Sequence, residues 1–242
     1  MPTLFAEGVT AGYGRVPIIN DITLAADIGS VTTIVGPNGA GKSTFAKTLV
    51  GILKPMSGRI TVNDFDITTI PGHQIPRRGL VYVPQNDNVF KRLTVRENLE
   101  VGGFASKGDT SARMQEVLGI FADLGEAVEK KAGFLSGGQQ NLLAIARALM
   151  VDPSVIILDE PMAGVNPALI ERIGGYILDL KESGVTVLMV EHNLNVVEQI
   201  CDYVIVLAEG RTLATGRLSE LRENAEVVKA YLGEVIDASA LH

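Results

Sequence analysis

The segment Gly36-Pro37-Asn38-Gly39-Ala40-Gly41-Lys42-Ser43-Thr44 fits the pattern G-x-x-x-x-G-K-[ST], directly after one predicted strand and at the opening of a predicted helix. Phosphate binding needs these residue types. Glycines let successive backbone N–H groups turn inward around phosphate oxygens, because no Cβ opposes a positive φ. The helix that follows adds unpaired N–H groups and the positive end of its dipole. Lys42 is expected to reach the β- and γ-phosphates of a nucleotide, and the Ser43 hydroxyl to ligate Mg2+.

Two further constellations belong with this cradle. Val155-Ile156-Ile157-Leu158-Asp159-Glu160 is an apolar run that ends in two carboxylates. Such a strand buries its apolar residues and delivers both acids to the carboxyl edge of a sheet, where ligands of open α/β sheets bind. Beside a phosphate-binding loop, Asp159 is expected to hold Mg2+ through water and Glu160 to polarise an attacking water as general base. Leu135-Ser136-Gly137-Gly138-Gln139-Gln140 precedes a strongly helical run. Ser136 as N-cap with Gln139 three residues on is a capping box. That accounts for the serine and the glutamine, but not for two glycines in a first turn, each costing up to ~1 kcal/mol against alanine. Bare backbone at a helix start suits close approach of an anion. Since residues 36–44 already cradle one nucleotide, this second site points to a γ-phosphate held by another subunit.

These residues need a scaffold that brings them together. Val31–Val35, Gly79–Val83, Val155–Leu158 and Val185–Val190 are rich in β-branched residues without polar alternation, as in parallel strands buried on both faces. Helical patterns at Lys42–Gly51, Gln139–Met150, Ala168–Glu182 and Asn193–Cys201 lie between them. The alternation predicts a parallel α/β sheet. Residues 1–30 and 57–70 read as hairpin-rich antiparallel β. Asn86 to Phe134 reads as a helical subdomain inserted between two sheet strands, with Gly102, Gly103 and Gly108 as punctuation.

Composition narrows the function classes. The 242 residues are 46% hydrophobic and 20% charged, which fits a globular chain able to bury a core. A single cysteine, Cys201, excludes a disulfide framework. The formal charge of −7 argues against a nucleic-acid partner, which needs a basic face. The first residues, Met-Pro-Thr-Leu-Phe-Ala-Glu, carry no visible secretory signal. The longest apolar runs fall well short of the ~20 residues of a membrane span.

The order of cradle, glutamine, Leu-Ser-Gly-Gly-Gln, apolar-Asp-Glu and histidine resembles that of the ATP-binding-cassette (ABC) ATPases over nearly the whole chain. The resemblance implies a P-loop NTPase fold: a RecA-like parallel sheet, an N-terminal antiparallel β subdomain and an inserted helical subdomain. It implies one ABC domain over 1–242, with 1–85 and 135–242 as core and 86–134 as the helical part. In Ala11-Gly-Tyr13-Gly, Tyr13 looks like the aromatic that stacks on adenine. Gln85 of Tyr82-Val-Pro-Gln85 looks like the glutamine that touches Mg2+ and the attacking water and senses a transmembrane partner. Ser136, Gly137, Gly138 and Gln139 look like the signature that closes over ATP bound to the opposite subunit. Asp159 and Glu160 match the Mg2+ ligand and catalytic base, and His192 looks like the switch histidine on the γ-phosphate. Asn166 stands where many members carry an acid.

Ala163-Gly-Val-Asn-Pro, Asp66-Ile-Thr-Thr-Ile-Pro, Arg92-Leu-Thr-Val-Arg-Glu-Asn-Leu and Val228-Lys-Ala-Tyr-Leu-Gly-Glu resemble the branched-chain amino-acid importers of the family. The ATPases of lipopolysaccharide export look similar. The implied function is an ATP-hydrolysing motor that works with Mg2+ on the cytoplasmic face of the inner membrane. It would pair with itself or with a sister ATPase, dock on permease subunits and serve a solute-binding protein indirectly. Phe90 and Leu93 are candidates for an apolar docking patch. The alternatives are an ATPase of another ABC system, such as lipopolysaccharide export, or a soluble non-transport ABC ATPase.

Overall fold

The structure, a computed structural model, describes residues 2–232 apart from Asp87 and Lys107. A hairpin of β1 (Leu4–Tyr13) and β2 (Val16–Ala26) is followed by β3 (Val31–Val35) and α1 (Lys42–Leu49). Then come β4 (Ser57–Val62), β5 (Phe65–Asp66) and β6 (Leu80–Val83). The insertion contributes α2 (Val95–Gly103), α3 (Thr110–Ile120) and α4 (Ala122–Glu126). The chain returns through α5 (Gly137–Leu149), β7 (Val155–Asp159), α6 (Pro167–Glu182), β8 (Thr186–Val190) and α7 (Leu194–Ile200). It then runs through β9 (Tyr203–Ala208), β10 (Arg211–Gly216) and α8 (Leu218–Leu221).

One sheet is antiparallel, in the order β2-β1-β4-β5; the other runs β10-β9-β3-β8-β7-β6. The second is parallel except for β10, which pairs antiparallel with β9. Every residue of β3, β7 and β8 is buried, so these strands are mainly apolar, with only the threonines Thr32, Thr33 and Thr186 and the terminal Asp159 among them. Successive side chains point to opposite faces. Val155 and Ile157 of β7 therefore pack with Phe45 and Leu49 of α1 and with Leu4, Ile22 and Ile60 of the antiparallel sheet. Ile156 and Leu158 face the other way, onto α5 and α6. Val95, Leu99, Val117, Phe121 and Leu124 of the insertion join that same cluster with Leu142, Ile145 and Leu149 of α5.

Three local details differ from the sequence expectations. Helix α5 starts at Gly137 rather than Gln139, because Ser136 is its N-cap. The insertion opens with non-helical chain before α2. Gly103 ends α2 and Gly108 lies in the link to α3, but Gly102 lies inside α2: a Cβ on it would stand 2.4 Å from the Arg147 carbonyl oxygen, so this glycine lets α2 approach α5. Gly233 and Glu234 of the C-terminal segment lie outside the described residues. No described helix is long and apolar enough to cross a membrane.

Candidate active site

Because β3, β6, β7 and β8 run parallel, the residues that follow them emerge at one edge of the sheet. After β3 comes the cradle. Gly36 has φ 150°, and a Cβ there would sit 2.1 Å from the Leu207 carbonyl oxygen of β9, so only glycine lets the loop leave the sheet at this point. Gly41, at φ 95°, caps α1 and lies against Ile19 of β2. Pro37 and Ala40 close the turn through Ala40 N–H donating to the Pro37 carbonyl, while Asn38 and Gly39 are exposed. Thr44 is turned inward.

Lys42 is buried, and its Nζ donates to the carbonyls of Gly36 (2.7 Å) and Pro37 (3.0 Å). Burial lowers its pKa from the usual lysine value, while the nearby Glu160 and Asp159 carboxylates act in the opposite sense. The ammonium thus lies within the field of both acids at the end of β7.

Asp159 is buried between two hydroxyls. Its Oδ1 accepts from Ser43 Oγ (3.3 Å), and its Oδ2 accepts from Tyr82 OH (2.8 Å). Burial, the Asp159 charge, the hydrogen bond to Asp159 and the Tyr13 phenol together push the Tyr82 phenol above its usual range. Tyr82 therefore remains a protonated donor. The Ser43 hydroxyl and the Asp159 carboxylate form a pair of hard oxygen donors side by side, the chemistry that suits Mg2+.

Glu160 stands one residue past β7 in the left-handed region, at φ 49°, with its N–H donating to the Val190 carbonyl (2.9 Å). Gln85 Nε2, beyond the end of β6, donates to Glu160 Oε2 at 2.7 Å. His192 Nδ1, beyond β8, is 3.7 Å from the same oxygen. The Glu160 side chain is 20% exposed and that of His192 60%, so the cluster opens to solvent on the histidine side.

Ser136–Gln139 lie elsewhere on the chain. Ser136 Oγ accepts from Gln139 N–H (3.2 Å), and Gln139 Oε1 accepts from Ser136 N–H (3.1 Å), completing the expected capping box. The two glycines differ. A Cβ on Gly138 would stand 1.8 Å from Leu169 Cδ2 of α6, so a side chain here would have to displace the partly exposed end of Leu169. A Cβ on Gly137 would meet nothing within 4 Å. Asn166 caps α6, its Oδ1 accepting from Leu169 N–H (3.0 Å). Tyr13 ends β1 at the tip of the first hairpin and is 56% exposed.

Several contacts escaped the sequence reading. Tyr82 is the one polar side chain of β6, a signal that was visible but ambiguous. Asn88 Nδ2 donates to Asn141 Oδ1 (2.9 Å), and Asn141 Nδ2 to the Pro161 carbonyl (3.2 Å), linking the start of the insertion, α5 and the loop after Glu160. Arg172 of α6 pairs with Asp123 of α4 (2.7 Å), and the rings of Phe121 and Tyr176 lie 4.6 Å apart. Glu191, between β8 and His192, is wholly buried.

A family model described as ABC transporter matches residues 19–163. The chain belongs to the ABC transporter family. Over 228 residues this cassette is 40% identical to the high-affinity branched-chain amino acid transport ATP-binding protein BraG of Pseudomonas aeruginosa, covering 94% of this chain and 98% of that one. BraF of the same organism, with the same description, is 36% identical over 251 residues, covering 96% and 98%. The lipopolysaccharide export system ATP-binding protein LptB of Escherichia coli is 34% identical over 239 residues, covering 97% and 98%. A solved nucleotide-free ATP-binding cassette from an ABC transporter superposes with a TM-score of 0.87 at 32% identity, covering 96% of this chain and 99% of that one. A dimeric cassette in a post-hydrolysis state, bound to ADP and Pi, gives 0.79 at 28% identity, covering 89% and 98%. The fold is therefore that of the P-loop NTPases. The protein is an ATPase, the ATP-binding subunit of an ABC transporter.

Proposed function

We propose that this ATPase drives uptake of branched-chain or other hydrophobic amino acids, with Gln85, Glu160 and His192 as its hydrolytic residues. The observation that carries the catalytic reading is the convergence of Gln85 and His192 on one oxygen of Glu160, at the sheet edge that also bears Lys42 and Ser43. The cargo rests on the likeness to BraG, which exceeds that to LptB in identity.

In this reading the cradle residues 36–44 bind the phosphates of ATP, and Tyr13 stacks on the adenine. Ser43, Asp159 and Gln85 would hold Mg2+, which supplies charge neutralisation on the phosphate oxygens when bound. Glu160 accepts a proton from the attacking water, whose oxygen bonds to the γ-phosphorus as the bond to the bridging oxygen breaks, giving ADP and Pi. Gln85 holds the carboxylate in place, and His192 lies on the γ-phosphate side. Ser136–Gln139 of one subunit close over the ATP of a second cassette, itself or a sister, and hydrolysis reopens the pair. Residues 86–134 carry the motion to permease subunits, and a solute-binding protein delivers the cargo. Phe90 is the outward part of the docking patch: its ring is 48% exposed and the Arg147 guanidinium lies 5.0 Å from its centroid, while Leu93 is half-buried. The complex then lies peripherally at the cytoplasmic face of the inner membrane.

The test is affinity purification of the tagged chain from gently solubilised native membranes, with mass spectrometry of its companions. Two different polytopic proteins and a sister ATPase are expected, with a solute-binding protein of the same system that titrates leucine, isoleucine or valine. Recovery of lipopolysaccharide-export membrane proteins would overturn the cargo, and recovery of soluble partners alone would overturn the transport role of this site.

A further inference from the structure

A carboxylate is almost never fully buried without partners. Glu191 is 0% exposed, and among the described residues its hydrogen-bond donors are backbone N–H groups. Its Oε1 accepts from Met162 N–H (3.1 Å). Its Oε2 accepts from His192 N–H (3.0 Å) and Asn193 N–H (3.3 Å). Its own N–H donates to the Ile34 carbonyl (3.2 Å), which fixes Glu191 to β3 just before the cradle. Burial pushes its carboxyl above the usual range, while the three N–H donors and His192 pull it down. The cost of placing an acid here is offset only where those donors stay aimed at it.

The donors come from two separate turns. Met162 lies two residues past Glu160. His192 and Asn193 open the turn after β8, and Asn193 is the N-cap of α7. One carboxylate therefore ties the turn that carries Glu160 to the turn that carries His192, whose side chains stand 3.7 Å apart. Glu160 needs such a hold. Its φ of 49° is disfavoured for a residue with a Cβ, by roughly 1–2 kcal/mol, and persists only where the surroundings over-determine it. Its N–H bond to Val190 fixes one side of the turn; Glu191 fixes the other.

We propose that Glu191 is a positioning residue for ATP hydrolysis, a buried clamp that sets the spacing of Glu160 and His192. This rests on the reading of those two residues as hydrolytic. Glu191→Gln keeps the size and one acceptor oxygen, but its amide nitrogen cannot accept from a backbone N–H.

In the purified full-length chain, Glu191→Gln is expected to lower kcat about tenfold with KM for ATP unchanged, as loss of alignment in the transition state requires. In a His192→Ala background the same change is expected to cost measurably less than in the wild type, because the share of its effect that sets the spacing to His192 is already lost. Full additivity of the two substitutions would overturn the clamp. His192→Ala with wild-type kcat would instead overturn the hydrolytic reading beneath it. A second measurement needs no variant. Amide hydrogen exchange of the wild-type chain is expected to show Met162 and Asn193, both outside helices and strands, protected on the order of a hundredfold or more. Exchange at these amides as fast as in an open loop would overturn the proposal whether or not Glu191→Gln folds.

Discussion

Adding one methyl group at each glycine of the signature separates a packing role from a ligand-binding one. Gly137 and Gly138 occupy the first turn of α5. Alanine at either gains up to about 1 kcal/mol of helix propensity. At Gly137 nothing opposes the gain, since a Cβ there meets open space. Gly137→Ala is therefore expected to stabilise the fold by about 0.5–1 kcal/mol, which raises Tm by about 1–4 °C for a chain of this size. At Gly138 the new Cβ stands 1.8 Å from Leu169 Cδ2 and 3.1 Å from Leu169 Cγ, well inside van der Waals contact. Leu169 is only partly buried and must turn aside, which takes up most of the propensity gain, so Gly138→Ala is expected to end about 1 kcal/mol less stable than Gly137→Ala. Leu169→Ala removes the obstruction, and in that background Gly138→Ala is expected to become stabilising. Turnover should follow a different order. Gly137→Ala, the more stable chain, is expected to lose at least about tenfold in ATPase rate, because only an approaching phosphate would meet that methyl. Paired thermal melts and steady-state ATPase assays read both quantities. Wild-type turnover in Gly137→Ala would refute the approach of a ligand at that residue. An equal stability change on Gly138→Ala with and without Leu169 would refute the packing account.

Glu160→Gln keeps the Gln85 contact geometry but removes the base; turnover is expected to fall by about a hundredfold or more while ATP binding and a trapped dimer remain, as rates and size-exclusion profiles will show. Tyr82→Phe deletes a donor to the buried Asp159 carboxylate, and is expected to raise the Mg2+ concentration for half-maximal activity about tenfold; an unchanged Mg2+ dependence counts against Asp159 as metal ligand. Lys42→Ala is expected to weaken nucleotide binding by calorimetry. Mixed with a Ser136→Ala chain, it should regain activity from one hybrid site per heterodimer, and an inactive mixture argues against shared sites.

The cradle and the acidic strand end could be read from the sequence because their geometry is local. Glycines at 36, 39 and 41, Lys42 and Ser43 lie within one turn and one helix start, and Asp159 and Glu160 end a five-residue strand. The capping box of Ser136 and Gln139 was legible for the same reason. What stayed hidden depends on partners far along the chain. The run Tyr203–Ala208 has the apolar density of β8, but nothing in its own residues says that it pairs with β3. The close fit of Gly138 needs Leu169, 31 positions away, and the burial of Glu191 needs the backbone of Met162. Gly102 reads as a break until Arg147 of α5 is placed beside it.

Among the described residues, the insertion has no private core. Its apolar residues complete the cluster around α5, Asn88 holds Asn141, and Arg113 of α3 donates to the Leu149 carbonyl at the far end of that helix. A hybrid cassette cut at 86 and 134 would therefore set foreign helices against a native α5 and lose this seam along its length. Joined instead at 86 and 150, the graft carries both sides of the seam with it. Residues 86–150 are thus the unit in which this part of the molecule can be exchanged between relatives, by an engineer or by recombination.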